Sequence, residues 1–402
     1  MIKKKPNVSF CKKCVAPSIE VVSSTLNFEG LCTGCIVSAE KKEINWNKRL
    51  NLLKKTLIKT NKDNNYDCVI PVSGGKDSYF QTHVIKNVLK MNPLLVTYNS
   101  NNYSKIGMEN LINMREVFGV DHIFFTPSIK TIKKLNRIGM AFHGDMNWHG
   151  HAGILTYPII IAVKFKIPFV IWGEHGWTEL GGMYSHNDFI EFSKRDRKEN
   201  GMHNLDWDDF IRASRKYGEK LSKEEMFPYI YPSDQEISDL KLRGLYLSNY
   251  IEWQPNENTE FVIKKYGFKI PKYKFDRTYR KMSNLDDIHE NGIHDYMKYI
   301  KFGFGRCTDH SNKDIRSGKI TRTKAISLIK KMDHKVPSDL NRWLKYVNWN
   351  SEKFFKVADT FRSPKIWWIK NNYWHKQCVW RIEQKFEKVK LSKKNRSEYF
   401  QE

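Results

Sequence analysis

The sequence predicts an α/β protein, with a parallel-sheet domain preceded by a four-cysteine ribbon and followed by a helical, aromatic-rich C-terminal region. Three observations carry this. Two CxxC pairs stand near the start, strand-like and helix-like segments then alternate, and the final region is crowded with Trp343, Trp349, Trp367, Trp368, Trp374 and Trp380. Alternation of this kind implies right-handed crossovers and a parallel sheet covered on both faces. The chain divides accordingly into 1–62 (ribbon plus helix), 63–270 (sheet domain with an insertion) and 271–402 (helical region).

Composition removes several classes. With 402 residues, 40% of them apolar and 13% aromatic, the chain has enough material to collapse, which rules out disorder as a description of the whole. The formal charge of +25 suggests an anionic partner, or else a lysine-rich habit of composition. The most apolar stretch, 154–172, contains Lys164 and Lys166 and is interrupted by Pro158 and Pro168, so it reads as a buried helix and strand, not a membrane span. Lys3, Lys4 and Lys5 lead to Pro6, Asn7 and Cys11 without the apolar run of a secretory signal. A cytoplasmic, reduced protein is expected, in which clustered cysteines are ligands rather than disulfide partners.

The elements follow in order. Cys11, Cys14, Cys32 and Cys35 form two CxxC turns whose spacing suits a closed, structural zinc site. Cys68, Cys307 and Cys378 are scattered singles. Apolar residues at Ile44, Leu50, Leu53, Leu57 and Ile58 predict an amphipathic helix over 43–59, and 61–65 is a polar break. A buried strand is expected at 67–72 and a helix at 77–89, followed by strands at 94–98, 122–125 and 169–172 and helices at 107–118 and 152–164. Segment 189–242 is polar and reads as an elaboration with helices near 207–215 and 233–240.

Between the first strand and its helix lies Ser73-Gly74-Gly75-Lys76-Asp77-Ser78. A parallel sheet places ligands at this junction. Adjacent glycines let the backbone approach an anion, and the free N–H groups of the helix N-terminus favour phosphate. The run is not GxxxxGK[ST]; it resembles the PP-loop of ATP pyrophosphatases, which holds the pyrophosphate released when ATP is cut between its α and β phosphates. The resemblance implies an adenine nucleotide alpha hydrolase-like domain, ATP as cosubstrate, an adenylylated intermediate, and Lys76 with Mg²⁺ as electrostatic partners. Asp77 is the candidate Mg²⁺ ligand.

Two further clusters bear on the acceptor. Glu174, in Trp172-Gly173-Glu174-His175-Gly176 at the end of the fourth strand, is a candidate to bind ribose, metal or the attacking amine. Downstream, 301–322 crowds Arg306, Asp309, His310, Arg316 and Arg322 among glycines, which reads as a loop able to bind an anionic group. No glutaminase nucleophile stands at position 2 or on a glycine elbow, so ammonia would come from a separate protein.

The order CxxC, CxGC, V-SGGKDS, GE-x5-GG and FGFGR-x-TDH-x3-DIR-x-G-x2-TR resembles the bacterial N-acetyl sugar amidotransferases of lipopolysaccharide and flagellar-glycan biosynthesis, the WbpG/PseA type. That resemblance spans about 9–380. It implies conversion of an acetamido group on a nucleotide-linked or nonulosonic sugar to an acetamidino group, with ammonia from a HisH/HisF-like glutaminase pair. Ser73 to Ser78 would hold pyrophosphate, Cys11, Cys14, Cys32 and Cys35 zinc, and Lys76, Asp77 and Glu174 would serve catalysis. Polarity makes Arg306, Asp309, His310 and Arg316 the candidates for sugar contact. The rival reading is an RNA-binding or tRNA-modifying enzyme, suggested by the ribbon, the charge and the aromatics; a thiolase would need a persulfide cysteine, for which Cys307 is the candidate.

Overall fold

A computed structural model describes residues 5–19, 25–57, 65–100, 103–283, 285 and 290–399. The chain enters through the cysteine turns and continues into α1 (Thr33–Glu40) and α2 (Trp46–Leu57). The helix expected at 43–59 starts three residues later, because 41–43 form a tight 3₁₀ turn; its predicted end and the polar break at 61–64 fall outside the described residues. Leu53 and Leu57 bury its apolar stripe.

The sheet domain contains β1 (Cys68–Pro71), α3 (Lys76–His83), β2 (Pro93–Tyr98), α4 (Lys105–Phe118), β3 (His122–Phe125), α5 (Ile129–His143), α6 (Trp148–Lys164) and β4 (Phe169–Trp172). After a polar excursion carrying α7 (Lys194–Asp196), α8 (Trp207–Lys216) and α9 (Asp234–Leu240), the chain returns as β5 (Arg243–Tyr246). The five strands are parallel in the order β3-β2-β1-β4-β5. Cys68 and Ile70 of β1 point into one core with Tyr79, Leu95 and Ile171, while Val69 points into another with Val96, Ile160 and Val170. Burial on both faces is the expected state of an all-parallel sheet. Because the order reverses at β1, the crevice beyond the carboxyl ends of β1 and β4 is the ligand position of this topology.

α10 (Pro255–Tyr266) packs on α3 and is followed by α11 (Asn291–Phe302), α12 (Arg306–Arg316), α13 (Arg322–Met332), α14 (Leu340–Val347) and α15 (Ser351–Thr360). The helical C-terminal region ends in a feature its aromatics did not announce, a three-stranded antiparallel sheet of β6 (Trp367–Lys370), β7 (Tyr373–Cys378) and β8 (Arg381–Lys388). Trp343, Trp367 and Trp374 are fully buried in the core between this sheet and α11, α14 and α15. No helix among the described residues is long and apolar enough to cross a membrane.

Candidate active site

The loop after β1 turns on Gly74, whose φ of +71° is left-handed; a Cβ there would also meet the Leu111 backbone at 2.7 Å. Ser78 closes the loop by accepting the Ser73 N–H at 3.0 Å, and the Tyr103 hydroxyl donates to the Ser73 carbonyl at 3.0 Å. No side chain caps the N-terminus of α3, so its first amides remain available to an anion. Lys76, only 9% exposed, pairs with Asp77 Oδ2, while Asp77 Oδ1 is buried without a partner among the described residues.

Across the crevice the chain leaves β4 at Trp172 and presents Glu174. The turn is fixed from both sides: Gln81 of α3 donates to the Ile171 carbonyl at 2.8 Å, and Ser248 Oγ accepts the His175 N–H at 3.0 Å. Glu174 forms an ion pair with Lys313 of α12. Burial alone would raise the Glu174 carboxyl, but Lys313, with Lys76 and Lys41 farther out, holds it below the ordinary carboxylate range. The neighbouring Glu179 is pushed up by burial despite its 2.6 Å pair with Lys41. His175 is buried with Nδ1 on Thr178 Oγ1 at 2.8 Å, and burial lowers its pKa, so it is a neutral packing residue.

The downstream cluster is not a loop. Residues 306–316 are helix α12, and its predicted substrate residues are each committed to protein. Arg306 grips Asp295 at 2.8–2.9 Å, Asp309 pairs with Lys298, and His310 sits against the Thr278 hydroxyl at 2.6 Å with its pKa driven well down by burial and by Arg280 and Arg306. Arg316 donates to the Leu180 carbonyl at 2.8 Å and to Cys32 Sγ at 3.6 Å. A common anion clamp is therefore corrected: Arg306, Asp309, His310 and Arg316 share one face of α12, as i, i+3 and i+4 spacing requires, but each side chain there is engaged by a different protein neighbour. Lys313, unnoticed in the sequence, is the residue of this helix that reaches Glu174. Its pairing crosses 139 positions of sequence, and no local pattern encodes that.

The four predicted cysteines do converge. Their Sγ atoms all lie within 4.8 Å of one another, with Cys11–Cys35 at 3.9 Å and Cys14–Cys32 at 3.5 Å. Four thiolates about 2.3 Å from one ion would stand roughly 3.8 Å apart, so the cluster can hold a single metal. Backbone amides of Cys14 and Cys32 point at Cys11 Sγ at 3.5 and 3.3 Å. The rest of the chain holds this knuckle through α12 and α13: Asn312 Oδ1 accepts the Val15 N–H at 3.1 Å, and Arg322 donates to the Cys14 carbonyl at 3.1 Å. Gly34 leaves room for the Arg316 guanidinium against the second turn, since a Cβ there would lie 2.3 Å from it and push it aside.

Comparison with known proteins adds the following. Residues 255–383 match the model of the LPS biosynthesis protein WbpG-like C-terminal domain. An uncharacterised protein of Methanocaldococcus jannaschii is 30% identical over 114 residues, 28% of this chain and 40% of that protein. The chain thus matches less than half the length of that relative. Among solved structures it is similar to NMN synthetase from Francisella tularensis (13% identity, 57% of this chain, 97% of that one, TM-score 0.27). It is also similar to the NH3-dependent NAD synthetase from Campylobacter jejuni (13%, 57% and 99%, 0.28) and to the U34-tRNA thiolase NcsA from Methanococcus maripaludis, which carries a [4Fe-4S] cluster (14%, 84% and 95%, 0.27). TM-scores this low decide nothing by themselves; the fold assignment rests on the parallel strand order and the loop after β1.

Proposed function

From a WbpG-like C-terminal domain set behind a PP-loop, we propose that the chain is an ATP-dependent amidotransferase that turns the acetamido group of a bacterial surface-glycan sugar into an acetamidino group. The observation that carries this reading is the meeting of the SGGKDS loop with Glu174 and Lys313 at the β1/β4 crevice. The amide oxygen of the sugar attacks the α phosphorus of ATP and pyrophosphate leaves. Ammonia then adds to the activated carbon, and AMP departs with that oxygen.

Each residue has a place in that sequence. The α3 amides, Ser73 and Ser78 receive the leaving pyrophosphate, and Lys76 balances the charge that gathers on it. Magnesium, when bound, would share that neutralisation, and the unpartnered Asp77 Oδ1 is its candidate ligand. Glu174, kept ionised by Lys313, is placed to orient the incoming ammonia and accept a proton from it. The cysteine cluster takes zinc: its thiolates are too close for a cubane cluster and suit one tetrahedral ion. All seven cysteines are buried and none stands ready as a glutaminase nucleophile, in keeping with ammonia supplied by a separate protein, which the family resemblance implies is a HisH/HisF-like glutaminase pair.

The thiolase alternative is weakened on the same ground. Cys307 is fully buried, and burial pushes its thiol far up, the opposite of what a persulfide carrier needs. The test is mass spectrometry of nucleotide-linked and free N-acetyl sugars incubated with the chain, ATP and ammonium. The reading expects one product that has exchanged an oxygen for NH. Modification of bulk tRNA in the parallel sample, with the sugars unchanged, would replace it by the RNA reading.

A further inference from the structure

A second group of metal-ligand side chains lies outside the crevice described above. Asp145 sits in the turn between α5 and α6, His151 in the first turn of α6, and His294 in the first turn of α11. One ligand atom from each falls within 4.8 Å of the others. His151 Nδ1 is 3.5 Å from Asp145 Oδ2, and His294 Nε2 is 4.0 Å from Asp145 Oδ1. The longer distance exceeds a hydrogen bond, the shorter one is at its limit, and Asp145 Oδ1 also accepts the Asn147 N–H at 2.9 Å, so the two rings converge on a carboxylate held in place by its own backbone.

We infer that Asp145, His151 and His294 form a second metal centre, for a divalent first-row transition ion. Two imidazoles and one carboxylate suit zinc or iron(II) and not magnesium, which prefers oxygen ligands and bound water. Ligand atoms about 2.0–2.2 Å from an ion stand roughly 3–3.5 Å apart, so the observed separations need only a small closure. With three protein ligands, a further position stays open to water or a substrate oxygen. The side chains are 14–35% exposed, which gives an ion a way in.

An independent observation comes from the next layer. The other ring nitrogen of His294, Nδ1, is 3.8 Å from Oδ1 of the fully buried Asp295. Asp295 is in turn held by the two Arg306 contacts, and its Oδ2 is buried with no partner among the described residues. At 3.8 Å the contact is longer than a hydrogen bond, so the Asp295 carboxylate acts on the His294 ring as a nearby negative charge, which favours a cation on the far side of the ring. Arg306 holds that carboxylate in place behind the ring. Lys301, whose charge acts on Asp145, is tied to the His143 carbonyl at 2.9 Å.

The test uses the full chain loaded with cobalt(II), whose thiolate site and nitrogen–oxygen site absorb differently. Wild type is expected to bind two ions per chain, one with intense thiolate bands and one with weak visible bands. His151→Ala should bind one ion, losing the weak bands while the thiolate bands and the circular dichroism stay unchanged. Asp145→Asn should lower affinity for the same ion at least tenfold. Wild type that binds only the thiolate-held ion, or His151→Ala that keeps both, would overturn the assignment. The readout does not depend on catalysis, so it stands or falls apart from the amidotransferase reading.

Discussion

Lys313 and Arg316, both in the last turn of α12, are similar cationic side chains put to different uses. Lys313 extends to Glu174 at the crevice and remains about one-fifth exposed. In the same turn, Arg316 is packed between the cysteine knuckle and the Leu180 carbonyl, and Arg322 on α13 repeats the gesture on the Cys14 carbonyl. The bidentate, permanently charged arginine serves where a thiolate cluster must be neutralised and held, and the flexible lysine serves where a carboxylate must be tuned. The contrast predicts that damage to Arg316 should appear chiefly as lost stability and damage to Lys313 chiefly as lost turnover.

The largest expected effect follows from Arg316→Ala. It strips a buried cation from four thiolates and two carbonyls, and should cost about 3–5 kcal/mol, read as a drop in denaturant midpoint together with faster metal loss to a chelator. An unchanged midpoint would mean that the ribbon is held by its metal alone. Lys313→Met leaves the buried Glu174 without its counter-charge, so it should lower the midpoint, though by less than Arg316→Ala, and reduce AMP formation by about 10²–10³-fold, the scale of losing one electrostatic group at a reacting centre. If its midpoint falls as far as that of Arg316→Ala, the division between Lys313 and Arg316 fails.

A subtler effect concerns pH. The folded Glu174 carboxyl titrates below its unfolded value, so its contribution to stability is present above the ordinary carboxylate range and is lost as pH falls through the lower, folded value. In Lys313→Met burial remains and the compensating charge is gone. The acid limb of the activity profile should therefore move to higher pH, and an acid limb that stays put would assign it to another group. The smallest effect is expected on the same stretch of chain: Lys319 and Glu257 pair at 2.6 Å but are about half exposed, so Lys319→Ala should leave melting and turnover indistinguishable from wild type.

What could be read from sequence was whatever repeats at short spacing. The CxxC pairs and the strand, glycine loop and helix around Ser73 to Ser78 are local patterns, and both appear where expected. β5 was missed because Gly244, Leu245 and Tyr246 are too short a buried run to stand out behind a capped helix. α5 was missed although Ile132, Leu135 and Ile138 are spaced for it, because its many lysines mask the stripe. The tryptophans read as helical, yet Trp367 and Trp374 alternate with Trp368 and His375 across paired strands. At the site, Glu174 was reachable from its place after a strand, whereas Lys313 was not, because its meaning lies in a partner brought near only by the fold. The polar crowd at 306–316 was noticed by composition and read as a loop, whereas it is a helix whose i, i+3 and i+4 spacing puts Arg306, Asp309, His310 and Lys313 on one face.

The central claim is that this crevice cuts ATP between its α and β phosphates. Phosphorus NMR of a reaction containing the chain, ATP, magnesium, ammonium and an N-acetylated nucleotide sugar tests it directly. The account predicts AMP and pyrophosphate in equal amounts, lost together in Lys76→Met; ADP and inorganic phosphate would contradict it.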